Sequence, residues 1–325
     1  MKSGIFFGII ASVALGLIAF DACPAQERTD RYTIVIHGGA GTIPETMPDS
    51  IKEEYYASLR KALRIGQDTL ARGGTSLDAV EVVLRYFEED PKFNAGIGAV
   101  YTSAGTHELD ASIMNGSNLS CGAVAGVEHI AHPISLARLV MEKSPHVLLA
   151  YQGAEEFAKS IGIQLVPNSY FDTPERKKQL DEYLKKHKEG NHGTTGCVAL
   201  DEYGNIAAGT TTGGMTGKLP GRIGDSPLIG DGTYADDRSC GVSGTGWGEK
   251  FMKNAVAFQI SALMRFAGMS LHDAVHHVIF DVLQPDDGGV IAVDKDGNYD
   301  MEFNTSGMFR GVANSKGVFE VGIWK

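Results

Sequence analysis

The chain has 325 residues, 43% of them hydrophobic, which is ample for a large core in one or two domains. Its net charge of −11 and pI near 5.4 argue against nucleic acid or an anionic membrane as the main partner, since both select a basic footprint. Glycine is abundant, 41 residues against a usual share of roughly 7%, and no collagen-like or low-complexity repeat accounts for it.

The first residues read as a targeting segment. Lys2 gives a basic start, Ile5 to Phe20 is an apolar run broken by glycines, and Ala22-Cys23-Pro24-Ala25 has the small residues of a processing site. The run is short for a spanning helix. Residues 1–25 are therefore expected to be a signal, with a cleavage boundary within 22–25 and an exported, periplasmic or lipid-anchored product. Phe20-Asp21-Ala22-Cys23 loosely matches a lipoprotein box, although Asp21 is unfavourable there. Simple secretion with cleavage after Ala25, a lipid anchor at Cys23 and an uncleaved anchor all stay open. Removal takes away Lys2 and Asp21, so the net charge stays −11. The remaining cysteines, Cys121, Cys197 and Cys240, form no CxxC pair and are expected to be buried free thiols.

In chain order, Tyr32 to His37 is a β-branched strand, stopped by Gly38-Gly39-Ala40-Gly41. Ile51 to Arg72 is an amphipathic helix, closed by Gly73-Gly74, and Thr75 or Ser76 starts a second helix to about Glu89. Asn94 to Tyr101 is a glycine-rich turn leading into a strand. Glu108 to Met114 and Ser120 to Val127 are strands, and Pro133 to Lys143 and Gly153 to Ile161 are helices. Pro174 to Gly193 is rich in charge and poor in apolar residues, either an exposed helix with a frayed end or a disordered linker. Thr194 to Leu200 and Asn205 to Thr211 form a hairpin, Glu249 to Ala267 and Leu271 to Val282 two helices, Gly289 to Val293 and Tyr299 to Asn304 a second hairpin, and Val318 to Ile323 a last strand. Hairpins in both halves favour stacked, mainly antiparallel sheets with helices outside, an α+β fold, over a doubly wound parallel sheet.

Four short stretches carry chemistry. A cut before Thr194, in His192-Gly193-Thr194-Thr195, would free an α-amine beside a hydroxyl, so the nucleophile would carry its own base. The plain alternative is a Thr-rich strand start, and residue types alone leave Thr194 and Thr195 both open. Gly209 to Thr216 places hydroxyls, Thr212 among them, at a strand end beside flexible backbone; an ordinary strand end is the alternative. In Leu219 to Pro227, Arg222 and Asp225 suit the carboxylate and ammonium of an amino acid, unless they pair with each other. Ser243-Gly244-Thr245-Gly246-Trp247-Gly248 can aim N–H groups and the Thr245 hydroxyl at an oxyanion, or be a glycine-rich turn capping a helix. Neither GxxxxGK[ST] nor GxGxxG spacing is present, so nucleotide binding is a weak reading.

Taken together and in this order, these pieces resemble the N-terminal-nucleophile hydrolases of the asparaginase 2 family, and most closely the plant-type isoaspartyl peptidase/L-asparaginases. The resemblance spans nearly the whole mature chain, including His37-Gly38-Gly39-Ala40-Gly41, Glu88 to Gly98, Glu108 to Met114 and Phe303 to Met308. It implies an αββα sandwich made as a precursor that cuts itself between Gly193 and Thr194. The α subunit is then 26–193, with the charged linker 174–193, and the β subunit is 194–325. Two αβ pairs join as an (αβ)2 heterotetramer.

By position the resemblance makes Thr194 the nucleophile and Thr212 its hydroxyl neighbour. It makes Arg222 and Asp225 the clamps on the substrate's α-carboxylate and α-amine, Thr245 and Gly246 the oxyanion hole, and Gly248 a backbone contact. Gly38, Gly39 and Asn94 lie near the nucleophile. No cofactor is needed for catalysis. A structural sodium would sit on backbone carbonyls of the loop containing Phe87, Glu88, Asp90, Phe93, Ala95 and Ile97. Thr195 departs from the valine commoner in the family, and the N-terminal signal is unlike many cytoplasmic members. Glycosylasparaginases, the sister group, usually carry Asp where Gly193 stands.

The expected reaction is hydrolysis of β-aspartyl peptides and L-asparagine to L-aspartate. The alternatives are a glycosylasparaginase-like amidase and, from another class, an uncleaved exported amino-acid or peptide binding protein. His37, His107 and His192 share no metal-ligand spacing, and structural or solvated roles are expected for them.

Overall fold

The structure is a computed structural model that describes Met1, Thr29, residues 31–186 and residues 193–325. Residues 2–28, which hold the rest of the expected targeting segment, and His192 lie outside the described residues. No helix among those described is long and apolar enough to cross a membrane.

Two sheets stack face to face between two helical layers. The larger has eight strands in the order β12-β11-β1-β5-β6-β2-β3-β4, antiparallel except for β3 with β4. Its members are β1 (Thr33–Gly41), β2 (Leu109–Asn115), β3 (Cys121–Val127), β4 (Leu148–Ala150), β5 (Thr195–Leu200), β6 (Ile206–Thr212), β11 (Gly307–Asn314) and β12 (Phe319–Gly322). The smaller is antiparallel, ordered β10-β9-β8-β7: β7 (Thr233–Ala235), β8 (Cys240–Gly246), β9 (Gly288–Asp294) and β10 (Tyr299–Phe303). Helices α1 (Asp49–Ala71), α2 (Ser76–Glu89), α3 (Pro133–Lys143) and α4 (Tyr151–Ser160) cover the large sheet, while α7 (Val256–Ala267) and α8 (Leu271–His276) cover the small one. This is the expected αββα sandwich.

Alternation builds the layers. On β1, Ile34 and Ile36 point to the helices, whereas Val35 points to the small sheet; on β5, Cys197 and Ala199 face one way, Val198 and Leu200 the other. Each fully buried aliphatic side chain contributes about 1.5–3 kcal/mol, and both faces of the large sheet collect such residues. Thr75 caps α2 by a reciprocal pair of bonds with Asp78, worth about 1 kcal/mol.

Several elements differ from expectation. Strand β1 does not stop at Gly38 but runs to Gly41, with an irregularity between His37 and Gly39 in its pairing to β11. Strand β8 occupies the stretch read as a glycine-rich turn. No strand follows the turn after Asn94; Gly96–Gly98 is a 3-10 turn and Thr102 makes only an isolated bridge to Lys218. The helix expected over Glu249 to Ala267 breaks into α6 (Gly248–Asn254) and α7, because Ala255 adopts φ 46, ψ 50. That left-handed residue costs about 1–2 kcal/mol. In return the Ala257 and Phe258 N–H groups reach the carbonyls of Asp231 and Gly230 at 3.0 and 2.7 Å.

In the charged linker, Pro174–Lys186 is a helix, α5. It is anchored by buried Leu180 and by Arg176, which donates to the Gly98 carbonyl at 2.6 Å. Cys121, Cys197 and Cys240 are free; the last two are buried and Cys121 is half-buried.

Candidate active site

The register of β5 and β6 sets the site. Thr195 pairs with Thr211 and Gly196 with Thr210, so Thr212 lies beside position 194 at the strand ends. The Thr194 hydroxyl donates to Thr212 Oγ1 at 3.3 Å, and the Thr212 hydroxyl donates to the Gly193 carbonyl at 3.2 Å. Asn94 donates through Nδ2 to the same carbonyl at 2.6 Å. Its Oδ1 accepts from the Val100 N–H at 2.9 Å, which fixes which end of the amide faces Gly193. The Gly193 carbonyl is thus held by two donors, one from each side of the Gly193–Thr194 link in sequence.

Thr195 is placed differently. Its buried hydroxyl donates to the Thr211 carbonyl at 3.2 Å. It takes no part in lining the cavity where Thr194, Thr212, Arg222, Asp225, Gly246 and Gly248 meet. Geometry therefore separates the two threonines that residue types left equivalent. With the 193–194 link intact this cavity is only about 10 Å³, about the space of one water.

Arg222 does not pair with Asp225. Its Nε and Nη2 donate side-on to Glu249 Oε1 and Oε2 at 2.9 and 2.7 Å. Glu249, at the first turn of α6, is a site residue that sequence reasoning passed over; only its place next to Gly248 hinted at it. Asp225 is buried, its Oδ2 lacks any hydrogen-bond partner, and burial pushes its pKa up to about 7. An unpaired buried carboxyl is costly unless a cation arrives. Gly248 lies against both groups: a Cβ there would stand 2.7 Å from Asp225 Oδ1 and 2.9 Å from Arg222 Nη2.

Thr245 and Gly246 end β8. Thr245 Oγ1 accepts the Ala40 N–H at 3.0 Å, which leaves its own proton to donate elsewhere. Gly39, at φ +116, lets β1 pass beside the cut; a Cβ there would approach Gly193 Cα to 3.3 Å. Gly38 backs this turn against the Phe93 ring.

His37 and His107 are both buried and hydrogen-bonded, and His37 is closer to the site than its strand-end context suggested. It is fully buried, with Nδ1 3.0 Å from the Thr194 carbonyl and Nε2 3.0 Å from Ser243 Oγ. Burial lowers its pKa to about 3, so it is neutral and serves as a positioning group. His107 lies between the Val100 carbonyl and Asp172.

In the loop over Phe87, Glu88, Asp90, Phe93, Ala95 and Ile97, two glycines pack closely on backbone carbonyls. A Cβ on Gly96 would stand 2.0 Å from the Glu88 carbonyl oxygen, and one on Gly98 would stand 2.0 and 2.7 Å from those of Phe93 and Pro91. The Glu88 carboxylate is already engaged by Thr211, His132 and the Ile134 N–H.

A sandwich with a hydroxyl residue at the start of a central strand is the N-terminal-nucleophile hydrolase fold, and the protein is an enzyme of that class. A family model described as Asparaginase matches residues 30–323. An isoaspartyl peptidase of Salmonella typhimurium is 47% identical, with 86% of this chain and 95% of that protein aligned. An isoaspartyl peptidase of Escherichia coli is 46% identical over 86% and 92%, and a Bos taurus isoaspartyl peptidase/L-asparaginase is 40% identical over 85% and 91%. The chain belongs to the asparaginase family.

Proposed function

We propose that the protein is a self-cleaving threonine amidohydrolase that releases L-aspartate from β-aspartyl peptides and L-asparagine. One observation carries the reading: the Thr194 hydroxyl enters the same cavity as Arg222 and the unpaired carboxyl of Asp225.

In the first reaction Thr194 Oγ1 bonds to the Gly193 carbonyl carbon. Its proton passes to Thr212, whose own proton goes to the developing oxyanion, along the hydrogen bonds already in place. Asn94 stabilises that oxyanion. As the Gly193–Thr194 C–N bond breaks, the proton on the former carbonyl oxygen moves to the Thr194 nitrogen, which leaves a free amine and a Gly193 ester of Thr194 Oγ1. Water then cleaves that ester, returning a proton to Oγ1 and releasing the α chain as a carboxylate.

In the second reaction the Thr194 amine takes the hydroxyl proton and Oγ1 attacks the substrate's side-chain carbonyl. The Thr245 hydroxyl and Gly246 N–H meet the oxyanion. Arg222 takes the α-carboxylate, and Asp225 ionises against the α-ammonium. The leaving amine takes a proton from the Thr194 ammonium, and water hydrolyses the acyl ester.

The leaving group has a natural exit. A cavity of about 370 Å³ opens on the Gly193 side of the nucleophile, lined by Gly39, Tyr55, Lys92, Asn94, Arg176 and Phe309 among others. It is roomy enough for an amino acid or a larger amine.

On the same reading, the loop around Glu88 holds a sodium ion that stiffens the support under Asn94. The α and β subunits stay associated and pair as (αβ)2, and the N-terminal segment exports the chain. Thr194→Ala tests the core of the proposal. A single band on a denaturing gel, with no turnover of a β-aspartyl dipeptide, is the expected result; an uncut variant that still turns over substrate refutes it. Offering β-aspartyl dipeptide, asparagine and glycosylasparagine side by side ranks the leaving groups and separates this reading from the glycosylasparaginase-like one.

A further inference from the structure

Helix α8 and the edge strand β10 place four metal-ligating side chains together, away from the cavity around Thr194. His272 and His276 are four residues apart on α8 and so share one helix face. Asp300 and Glu302 are two apart on β10 and so share one strand face. His272 Nδ1 lies 2.8 Å from Asp300 Oδ2 and 3.8 Å from Glu302 Oε1. His276 Nδ1 lies 3.2 Å from Glu302 Oε2. One ligand atom from each of His272, His276 and Glu302 fits within a 4.8 Å span.

Those spacings match a small first-row cation. Zinc bonds imidazole nitrogen and carboxylate oxygen at about 2.0–2.2 Å, which puts tetrahedral ligand atoms about 3.3 Å apart. The His276–Glu302 and His272–Glu302 separations of 3.2 and 3.8 Å lie near that edge length, and the three ligand atoms stay within 4.8 Å of one another. The charge also fits, because two carboxylates and two neutral imidazoles balance a dication. Access is split usefully: the carboxylates are largely buried, at 10% and 19% exposure, while the imidazoles are open to solvent at 69% and 55%.

We propose that His272, His276 and Glu302, with Asp300 held beside His272, form a surface site for a divalent borderline cation, with Zn²⁺ the best match. Binding displaces the proton on His272 Nδ1: from an imidazolium it goes to water, and in a neutral ring it is replaced by one taken up at Nε2, so the bound imidazole stays neutral. The ion ties α8 to β10, the outermost strand of the small sheet, so its expected effect is on stability. This inference is independent of the amidohydrolase reading.

The test uses the purified, untagged full-length product after chelator treatment, titrated calorimetrically with ZnCl₂. One Zn²⁺ per chain, binding well below 0.1 mM (a threshold on the order of −5 kcal/mol), and a melting temperature raised by a few degrees are expected. The His272→Ala/His276→Ala variant should bind at least about tenfold more weakly, and so should Asp300→Asn/Glu302→Gln, which keeps the side-chain shapes. Co²⁺ in place of zinc should give visible bands of a tetrahedral site in the parent and not in either variant. Zinc binding unchanged in both variants, binding lost instead in Cys121→Ser, or no stoichiometric binding each overturns the proposal.

Discussion

Asn94 Nδ2 sits 2.6 Å from the Gly193 carbonyl oxygen, which also accepts the Thr212 hydroxyl at 3.2 Å. The two donors come from a loop before the cut and a strand after it. The Gly193–Thr194 peptide, the one proposed to break, is therefore polarised only when both halves of the chain are in place.

Asn94→Ala should slow the appearance of the two fragments by about 10²–10³-fold, the usual cost of losing one oxyanion donor. A time course on denaturing gels measures this directly. Cleavage at the parental rate would remove Asn94 from the cutting step.

Thr195→Val should cut normally, and the smaller fragment should begin at Thr194. The Thr195 hydroxyl only caps the Thr211 carbonyl, so the cost should stay near 1 kcal/mol of stability. N-terminal sequencing decides the matter; a fragment beginning at position 195 would exchange the roles of the two threonines.

Asp225→Asn should separate stability from activity. The folded pKa, about 7, lies above the unfolded value near 4. Between these values the native state holds the extra proton. The group's contribution to stability is therefore present at low pH and falls as pH rises from about 4 to about 7. At pH 8 the asparagine variant should melt a few degrees higher than the parent while losing most of kcat/KM. Melting scans at pH 5 and pH 8, with the larger difference at pH 8, test the sign.

Glu249→Gln should loosen Arg222. The side-on pair at 2.9 and 2.7 Å holds the guanidinium in place. About a tenfold rise in KM, with a smaller change in kcat, is expected if the guanidinium meets the substrate carboxylate. An unaltered KM would show that Arg222 keeps its orientation without Glu249.

His37→Ala should weaken the protein at neutral pH. Its folded pKa, about 3, is below the usual 6.5, so its neutral form stabilises the fold above pH 6.5 and that contribution drains away as pH falls from 6.5 towards 3. The variant should lose about 1–3 kcal/mol at pH 7 and show a shallower acid transition in urea melts. An equally steep acid limb would place the titration elsewhere.

Much of the architecture was legible because alternation and caps are local. The span of α3 and the β5–β6 hairpin follow from periodicity and turn residues. Strand β8 was hidden because Gly241, Gly244 and Gly246 mimic a turn, while its hydroxyls face a neighbouring sheet that a linear reading does not supply. Strand β1 was cut short for the same reason: glycines that end most strands here let the backbone pass beside Gly193. In the site, Thr194, Arg222 and Asp225 stood out by type and spacing, but Glu249 is defined by a contact 27 residues away in sequence. The pairing of α8 histidines with β10 carboxylates was equally out of reach, since the i,i+4 histidines mean little until the strand is beside them.

Strand β1 lies between β11 and β5, both from the far side of the Gly193–Thr194 link. A ribosome therefore releases the last strand of the large sheet well after the first has emerged. Scission before that moment would strand β1 without neighbours. Because the Gly193 carbonyl is gripped from both halves, a cut at this link on the proposed reading would double as a certificate of completed folding: misassembled chains should stay long, and the ratio of long to short bands should read out folding quality in any preparation.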